Sequence, residues 1–418
     1  MRPQKLTKNQ SNQFKNKSDI FFLNLPLAES MKILVIDNVN FINYPTGGIM
    51  AFYRTLLPAF GNDIKLAGIC TDTSCPTGKW IKKNIFDIEF DFFSMANIKP
   101  CAKKPLVPER IQNCIHVKKH IQKITKGIDF DVILTQTPEV TYFIPTKLLK
   151  KTCFILPGIE NPLSISRYSW AKNLATIYDK FFLMPKARKV RWLLAAADYE
   201  ARCKFSERSK GIIKAEDIIQ FPTRFDGSVY YPKRDTAEHG NSTSKEKNFV
   251  TVGRLGWFKG WKLMIDAFCI AQEKEPNSKL IFIGDGEDEK KIRNYINEKN
   301  LNEKIELVGK KHPAEIAEYL NKSDVFIMGS MVEGWSTTLV EACACGIPCV
   351  VTRFSSAEEM VKEGENGFIV KSRDEQDFAQ RMLDALQLDR NHVIEFDQQF
   401  EKYAISHLKE DLLRVLEN

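Results

Sequence analysis

Short apolar runs alternate along this chain with stretches in which apolar residues recur at helical spacing. The alternation is most regular in the second half, where mainly apolar runs occupy residues 249–252, 280–283, 305–308, 325–328 and 347–351. Continuous apolar runs of this length are typical of strands buried on both faces of a parallel sheet. Strands separated by helices of about 10 to 15 residues indicate βαβ units. The second half is therefore predicted to form a parallel sheet covered by helices.

The first half repeats the pattern less regularly. Its apolar runs predict strands at residues 32–36, 65–70, 85–93, 132–134, 153–156 and 193–197. Helical spacing predicts helices over residues 49–60, 111–126 and 166–190, a further helix after Asp198, and helices over 261–273, 287–298, 313–320, 374–387 and 396–417. Both halves thus belong to the α/β class.

The domain organisation follows from length and from one polar stretch. A chain of 418 residues is too long for a single typical core, so two or three domains are expected. Residues 221–232 are rich in turn-forming residues, and the polar stretch 236–247 comes directly after them. The domain boundary is placed at this point.

The net charge is unevenly distributed. A hydrophobic content of 43% and a charged content of 27% describe an ordinary globular protein. Residues 1–200 carry 29 Lys and Arg against 16 Asp and Glu, whereas residues 201–418 carry 32 against 37. The basic half favours an acidic partner such as a phospholipid surface, a lipid-linked diphosphate or a nucleic acid. A solvated Lys-rich surface explains any single cluster equally well. Nucleic acid ranks last, because no recognition module is present and aromatic residues are not interleaved with the Lys clusters.

The cysteines and apolar runs indicate a cytoplasmic protein. The ten cysteines form no C-x-x-C pair, and several lie inside apolar runs, as expected of free thiols in a reducing compartment. No apolar run approaches the roughly 20 residues that a membrane-spanning helix needs. The apolar segment 20–27 is short and interrupted, which makes a signal peptide a weak interpretation. The protein is expected in the cytoplasm, with peripheral contact to the inner face of the cell membrane as an option.

Two acids bracket a turn and a helix start between two predicted strands. Glu333-Gly-Trp-Ser-Thr-Thr-Leu-Val-Glu341 follows the run 325–328, so its polar groups lie at the carboxyl edge of the sheet, where ligands bind in open α/β folds. The helix start presents free backbone N–H groups, which suit a phosphate. The two carboxylates suit hydroxyl groups, and phosphate and hydroxyls together suggest a sugar nucleotide. Acids near a helix start also stabilise the helix dipole without any ligand.

Glycine-containing loops follow three other predicted strands. Residues 253–260 place Arg254 and Lys259 in one loop, and two cations suit a diphosphate. Gly284-Asp-Gly286 ends the next strand, and Gly47-Gly48 precedes the first helix. None of these loops has the spacing of a P-loop or of the dinucleotide fingerprint. Turn geometry alone is the slightly better explanation of Gly47-Gly48 and a common one for 284–286. Surface charge is the weaker explanation of Arg254 and Lys259, because their loop faces the same sheet edge as Glu333.

Two pairs of residues are weak candidates for a metal site. Asp129 and Asp131 form an Asp-x-Asp pair, but they directly precede an apolar run and are better explained as caps of a buried strand. His116 and His120 are four residues apart in a basic amphipathic helix, and without a third ligand they are better explained as solvated side chains. That helix suits an anionic membrane surface, although a core-facing helix with a solvated back is the more common case.

The ordered set of motifs is more specific than any single one. It comprises Gly253-Arg254-Leu255 with Lys259-Gly260, then 283–286, 323–328 with Ser330, Glu333-Gly-Trp through Glu341-Ala342, 346–351 and 363–368. In order and spacing it resembles the nucleotide-binding domain of a GT-B glycosyltransferase of family 4, the retaining group 1 transferases. The resemblance is close over residues 249–390 and looser over residues 31–230.

The resemblance implies a fold and a set of domains. The expected fold is α/β GT-B, with two Rossmann-like, doubly wound parallel-sheet domains that face a central cleft. Residues 31–220 together with a C-terminal helix, 396–418, would form the acceptor-side domain. Residues 221–395 would bind the nucleotide sugar, and residues 1–30 would be a polar N-terminal extension.

The resemblance also implies roles for individual residues. Arg254 and Lys259 would bind the donor diphosphate, Glu333 would contact the transferred sugar and so complete the catalytic set, and Glu341 would bind the ribose. The remaining donor-binding residues that it implies are Gly334, Trp335, Ser336, Thr337, Gly284, Gly286, Val308, Gly47 and Gly48.

The implied activity is that of a retaining, metal-independent hexosyltransferase. It would move a hexose-type sugar from a nucleotide diphosphate to a glycan or lipid-linked precursor in cell-surface polysaccharide synthesis, with no cofactor besides the donor. Two features depart from the family pattern. Pro157-Gly158 stands where many relatives have a histidine, and Ser336 stands where glycine is frequent. A GT-B epimerase or hydrolase and a non-catalytic binding protein are therefore retained as alternatives.

Overall fold

The computed structural model of the protein describes residues 31–41, 48–71, 75–98, 109–161, 163–164, 169–233 and 246–417. The extension predicted for residues 1–30 lies outside them. The described residues divide into two compact units. The first domain comprises those up to Pro222 together with those from Leu408 onwards, and the second domain is Thr223–His407. Residues 396–407, which the sequence-based division assigned to the first domain, group with the second.

The strands and helices alternate along most of the chain. The strands are β1 (Ile33–Asn40), β2 (Ile64–Cys70), β3 (Trp80–Ile85), β4 (Ile88–Asn97), β5 (Val132–Thr135), β6 (Thr152–Leu156), β7 (Trp192–Ala195), β8 (Ile218–Gln220), β9 (Lys247–Val252), β10 (Ser278–Ile283), β11 (Ile305–Gly309), β12 (Val325–Met328), β13 (Cys349–Thr352) and β14 (Gly367–Val370). The helices are α1 (Gly48–Phe60), α2 (Glu109–Thr125), α3 (Pro138–Phe143), α4 (Ser169–Lys172), α5 (Ala175–Tyr178), α6 (Met184–Ala187), α7 (Tyr199–Arg208), α8 (Trp261–Lys274), α9 (Glu289–Glu298), α10 (Pro313–Lys322), α11 (Thr337–Ala344), α12 (Ala357–Met360), α13 (Glu375–Ala385), α14 (Arg390–Asp397) and α15 (Leu408–Glu417).

The described part of the first domain contains an eight-stranded sheet in the order β3-β4-β2-β1-β5-β6-β7-β8. Its strands run parallel except β3, which is antiparallel to β4. Side chains alternate between the two faces of a strand. Ile33 and Val35 of β1 therefore enter a core that includes side chains of α1 and α15. Leu34 and Ile36 enter the opposite core, which includes side chains of α2 and α3.

The described part of the second domain contains six parallel strands in the order β11-β10-β9-β12-β13-β14. Phe249, Leu280 and Phe282 pack with apolar side chains of α8 and α13 in one core cluster of this domain. In both sheets the chain first adds strands on one side and then returns to the other side. These topological switch points lie between β1 and β5 in the first domain and between β9 and β12 in the second.

A hairpin replaces the single strand predicted over residues 85–93. Strands β3 and β4 are antiparallel, and Ile85 pairs with Ile88. The turn residues Phe86 and Asp87 have φ values of 54° and 62°. Two positive φ values are typical of a type I′ turn, which suits a hairpin. The prediction was wrong because Phe-Asp lacks the Asn-Gly or Asp-Gly sequence that normally indicates this turn.

The single helix predicted over residues 166–190 is broken in its described part. The chain forms α4 and α5, then a π-helical turn at Asp179–Leu183, and then α6. Leu174, with φ −94° and ψ 0°, separates the first two helices. Pro185 stands in the first turn of α6, where a residue without an N–H group is tolerated. These local breaks let the segment follow the surface of the sheet.

The closing helix predicted over residues 396–417 is also interrupted. Short 3₁₀ turns at Gln398–Tyr403 and Ile405–His407 precede α15. Between them the backbone of Phe225 donates to Tyr403 O at 3.1 Å and accepts from Ile405 N at 2.9 Å. These hydrogen bonds hold the chain extended at residue 404, so tertiary pairing overrides the helical spacing in the sequence.

Candidate active site

The switch point of the second sheet brings together the loops that follow β9 and β12. Lys259 ends a 3₁₀ turn before α8, and Glu333 lies between β12 and α11. Lys259 Nζ donates to Glu333 Oε1 at 2.5 Å, and the Ser330 hydroxyl donates to the same oxygen at 2.8 Å. The Lys259 and Glu333 side chains are only 24% and 15% exposed. The ion pair therefore lies where open α/β sheets bind ligands.

Glycines allow the strand ends to approach one another. Gly260 has a φ of 69°, and a Cβ atom on it would lie 1.9 Å from the carbonyl oxygen of Gly329. Gly284 follows β10, and a Cβ atom there would lie 2.0 Å from the carbonyl oxygen of Gly253. Because neither position has room for a side chain, both glycines are required by backbone packing. The predicted donor contact of Gly284 stays a prediction.

Backbone hydrogen bonds fix these loops in place. Gly253 N donates to Ile283 O at 2.9 Å, and Met331 N donates to Phe258 O at 2.8 Å. The Thr352 hydroxyl supports the loop from behind by donating to Ser330 O at 2.7 Å. A pocket opens at this edge, and its lining includes Gly253, Arg254, Lys259, Ile283, Met328 and Ser330. Lys259 and Ser330, two of these lining residues, hold the carboxylate of Glu333 at the edge of the pocket.

Arg254 lines the pocket but belongs to a different ion pair. Its Nε donates to Glu287 Oε2 at 2.8 Å, and both side chains are about half exposed. An exposed pair of this kind is worth little, because water screens both charges. A polyanionic ligand can therefore recruit Arg254 at low cost.

The residues between Glu333 and α11 can offer a ligand mainly their backbone groups. Ser336 caps α11, because its hydroxyl accepts a hydrogen bond from Leu339 N at 3.3 Å. Thr337 begins the helix, and Gly334 O accepts from the Ser356 hydroxyl at 3.1 Å. The Trp335 ring is buried against Tyr403, with ring centroids 5.2 Å apart. Of the predicted donor-binding residues here, Trp335 can offer a ligand little besides its backbone.

Glu341 lies on α11, and its surroundings disfavour the charged carboxylate. Burial raises its pKa to about 8, although a hydrogen bond with Tyr230 acts in the opposite direction. Tyr230 is itself buried, and burial together with the nearby carboxyl of Glu341 raises its pKa. Sequence reasoning did not identify Tyr230, because nothing in the sequence relates two residues so far apart. A ligand that donates hydrogen bonds to this carboxyl would favour its ionised form.

The other predicted donor-binding residues are dispersed. Gly286 packs against the backbone of Leu255, where a Cβ atom would lie 2.3 Å from the carbonyl oxygen. Val308 is half-buried near the end of β11. Gly48 is the first residue of α1 in the first domain, and Gly47 lies outside the described residues. No described contact joins these residues to Lys259 or Glu333.

The switch point of the first sheet holds a buried carboxylate that sequence reasoning passed over. Asp37 Oδ2 accepts hydrogen bonds from the Tyr53 hydroxyl at 2.5 Å and Gln136 N at 2.8 Å. Its Oδ1 accepts from the Thr137 hydroxyl at 2.6 Å and the Thr135 hydroxyl at 3.3 Å. Burial raises the pKa of Asp37 to about 6, and these hydrogen bonds oppose the shift. The carboxylate joins α1 to the end of β5. Its only signal in the sequence is an acid directly after an apolar run.

The two weak metal candidates have structural explanations. Asp131 accepts a hydrogen bond from Lys32 N at 3.0 Å, and Asp129 pairs with Lys32 Nζ at 2.5 Å. The acids therefore bind the residue before β1, which is the neighbour of the strand that they were predicted to cap. His120 is not the solvated side chain that was predicted. It is buried, with its ring 5.7 Å from that of Phe93, because α2 turns this residue towards the sheet. Burial lowers the pKa of both His120 and His116.

The described residues contain neither a cluster of metal ligands nor a membrane-spanning helix. Within the described residues, no group of three or more His, Cys, Asp and Glu side chains is placed to hold a metal ion. None of the helices in the same part of the chain is both long enough and apolar enough to cross a membrane. Pro157 and Gly158, which follow β6, are both exposed.

Comparison with known proteins finds a family that matches the second domain. Residues 232–407 match the family described as Glycosyl transferases group 1. An uncharacterized glycosyltransferase of Methanocaldococcus jannaschii is 37% identical over 242 residues, which cover 56% of this chain and 58% of that protein. The UDP-Gal:alpha-D-GlcNAc-diphosphoundecaprenol alpha-1,3-galactosyltransferase of Escherichia coli is 30% identical over 138 residues, 32% of this chain and 35% of that enzyme. The chain thus matches less than two thirds of the length of these relatives.

A solved structure resembles almost the whole chain. HepE of Anabaena, in complex with UDP and glucose, superimposes with a TM-score of 0.65 at 17% identity, over 93% of this chain and 100% of that one. At this identity the likeness shows the fold, which is the GT-B arrangement of two Rossmann-like domains. The α/β GT-B fold class predicted from the sequence is confirmed.

Proposed function

We propose that the protein is a retaining glycosyltransferase, because residues 232–407 match the group 1 glycosyl transferases and the chain has the GT-B fold. It moves a hexose-type sugar from a nucleotide-diphosphate donor to a glycan precursor. The observation that carries the proposal is the ion pair of Lys259 and Glu333 at the switch point of the second sheet. The pair offers a cation for phosphate and a carboxylate for sugar hydroxyls at one edge of the sheet.

Donor binding exchanges the partners of these charges. The diphosphate takes Lys259 from Glu333 and Arg254 from Glu287, because a doubly charged group attracts both cations more strongly than single carboxylates do. Glu333 keeps the Ser330 hydroxyl as a partner and becomes free to accept hydrogen bonds from the sugar. The ribose hydroxyls donate to Glu341, one helical turn into α11.

Catalysis in this proposal is mainly electrostatic. Negative charge develops on the diphosphate as the sugar leaves, and Lys259 and Arg254 are positioned to stabilise it. The backbone N–H groups at the start of α11 add the positive end of the helix dipole. A preorganised site of this kind accounts for transfer without a metal ion, and the anomeric configuration is retained.

The acceptor is proposed to be a glycan or lipid-linked precursor of a cell-surface polysaccharide. The excess of Lys and Arg in the first half supports an acceptor that carries phosphate. The Escherichia coli relative is named for a diphosphoundecaprenol-linked acceptor. A cytoplasmic protein that contacts the inner face of the membrane would meet such a substrate.

The test is a panel of nucleotide-diphosphate sugars, each incubated with and without lipid-linked oligosaccharide acceptors. We expect one donor to lose its sugar to an acceptor, with the configuration of the donor retained in the product by NMR and activity unchanged in EDTA. Lys259→Met should abolish turnover, and Lys262→Met, an exposed cation on α8, should not. Release of free sugar alone would replace the proposal with a hydrolase, and binding without turnover would leave a binding protein.

A further inference from the structure

A stripe of large apolar side chains lies exposed on the first domain. Trp170, Leu174, Ile177 and Phe181 are 50%, 41%, 55% and 63% exposed. They recur every three or four residues along two short helices and the π-helical turn that follows them. These four residues, which we call the exposed stripe, lie on the segment from α4 to the π-helical turn. Single exposed apolar side chains are ordinary, but four large ones within one short segment are characteristic of an interaction surface.

The opposite side of the same segment supplies its attachment to the domain. Phe182 stacks on Tyr142 of α3 with ring centroids 4.2 Å apart. Leu183, Met184 and Ala187 are buried in the core beneath β6 and β7. Because these side chains fix the orientation of the segment, the exposed stripe faces away from the core.

The exposed charges beside the stripe have one sign. Lys172, Lys180, Arg188 and Lys189 are all exposed. Between residues 169 and 189 the sequence contains a single acid, Asp179. That carboxylate is buried and paired with Arg208 Nε at 3.1 Å. The segment therefore presents apolar side chains and positive charge without exposed negative charge.

We propose that the exposed stripe inserts into the surface of an anionic lipid bilayer. An amphipathic segment with an apolar face and flanking Lys and Arg lies in the plane of the membrane interface. Each cation near an anionic surface adds to the attraction. The inference rests on the proposed contact with the inner membrane face and assigns that contact to particular residues.

The neighbouring helix α2 strengthens the charge argument. Helices α2 and α3 enter the same core, and α3 contacts the π-helical turn. On α2, Lys118, Lys119 and Lys123 are exposed. The cations are therefore carried by adjoining elements of one side of the sheet, as binding to an extended anionic surface requires.

Vesicle co-sedimentation of the full chain tests the proposal. The wild type should bind phosphatidylglycerol vesicles at least about tenfold more tightly than phosphatidylcholine vesicles, and high salt should weaken the binding. The variant Leu174→Ser/Ile177→Ser/Phe181→Ser should lose about tenfold or more of the binding. Ile212→Ser, an exposed apolar residue elsewhere in the first domain, should bind as the wild type does. Lys180→Glu/Lys189→Glu should reduce binding to phosphatidylglycerol only.

Other occupants of the surface give different results. If the triple variant binds vesicles as the wild type does, the stripe is not the contact. If the wild type is a dimer in solution and the triple variant a monomer, the stripe binds a second copy and the proposal is wrong. Binding is measured without donor or acceptor, so sugar transfer to a water-soluble acceptor reports on the glycosyltransferase proposal separately. A wild type that transfers sugar but ignores vesicles would overturn only the membrane contact.

Discussion

Replacing Glu341 by glutamine tests how the site binds a nucleotide. In the free protein, burial raises the pKa of Glu341 to about 8. At pH 7 about nine tenths of the molecules therefore carry a proton on this carboxyl. Ribose hydroxyls that donate to Glu341 favour its ionised form, so donor binding should expel that proton.

The magnitude follows from the pKa. At pH 7 the wild type should release about 0.9 proton per bound nucleotide sugar, and Glu341→Gln should release none from this position. Relative to the variant, the wild-type affinity should rise about 50-fold between pH 6 and pH 8, because the carboxyl ionises over this range. The glutamine oxygen still accepts hydrogen bonds, so binding of the variant stays measurable.

Calorimetry in buffers of different ionisation enthalpy measures the released protons directly. A nucleotide-diphosphate sugar is the suitable ligand, because its phosphates do not titrate in this pH range. Protons from other groups cancel in the difference between wild type and variant. Equal proton release by the two proteins, or proton uptake by the wild type alone, would refute the assignment of Glu341 to the ribose.

The remaining predictions concern one binding residue, one backbone contact and one buried acid. Lys259→Met should weaken binding of a nucleoside diphosphate about 10- to 100-fold by calorimetry, because a charge-assisted hydrogen bond worth about 1.5–3 kcal/mol is lost; unchanged affinity would exclude the role. Gly260→Ala should lower the unfolding free energy measured in urea by several kcal/mol, since its Cβ would lie 1.9 Å from a carbonyl oxygen. The control Gly309→Ala has a φ of 73° but open space around it, and it should cost about 1 kcal/mol. Equal costs for the two variants would contradict the packing argument. Burial raises the pKa of Asp397 to about 8, so its proton is lost on unfolding between about pH 4 and 8 and its contribution to stability falls as the pH rises. The unfolding free energy of Asp397→Asn minus that of the wild type should therefore be larger at pH 8 than at pH 5 in denaturant titrations. A difference that does not change with pH would argue against a buried protonated acid.

The sequence predicted five of the six strands in the described part of the second domain, because those five are short, mainly apolar runs separated by helices, and it missed β14. The loops after β9 and β12 were expected at one sheet edge, and the ion pair of Lys259 with Glu333 agrees with that expectation. Their tight approach depends on Gly260 and Gly329. Glycine in a loop has several explanations, so its packing role became visible only in three dimensions.

The first domain was harder to predict, because its informative features are non-local. Asp37 accepts hydrogen bonds from Tyr53 of α1 and from Thr137 after β5, and Thr137 is 100 residues further along the chain. The exposed stripe was hidden within a region predicted as one continuous helix, since sequence spacing alone does not tell which apolar face meets the core. In both cases the residue types were recognisable, but their partners were not.

The position of α15 at the end of the chain affects the order in which the two domains fold during synthesis. Leu408 and Leu412 of this helix complete the core that Leu56 and Leu57 of α1 begin. During synthesis the whole of Thr223–His407 is translated before α15. The second domain therefore has its complete sequence on the ribosome while the first still exposes part of its core, which reverses the usual order in which domains finish folding. A premature stop just before residue 408 would leave the second domain able to fold and the first permanently open to chaperones and proteases.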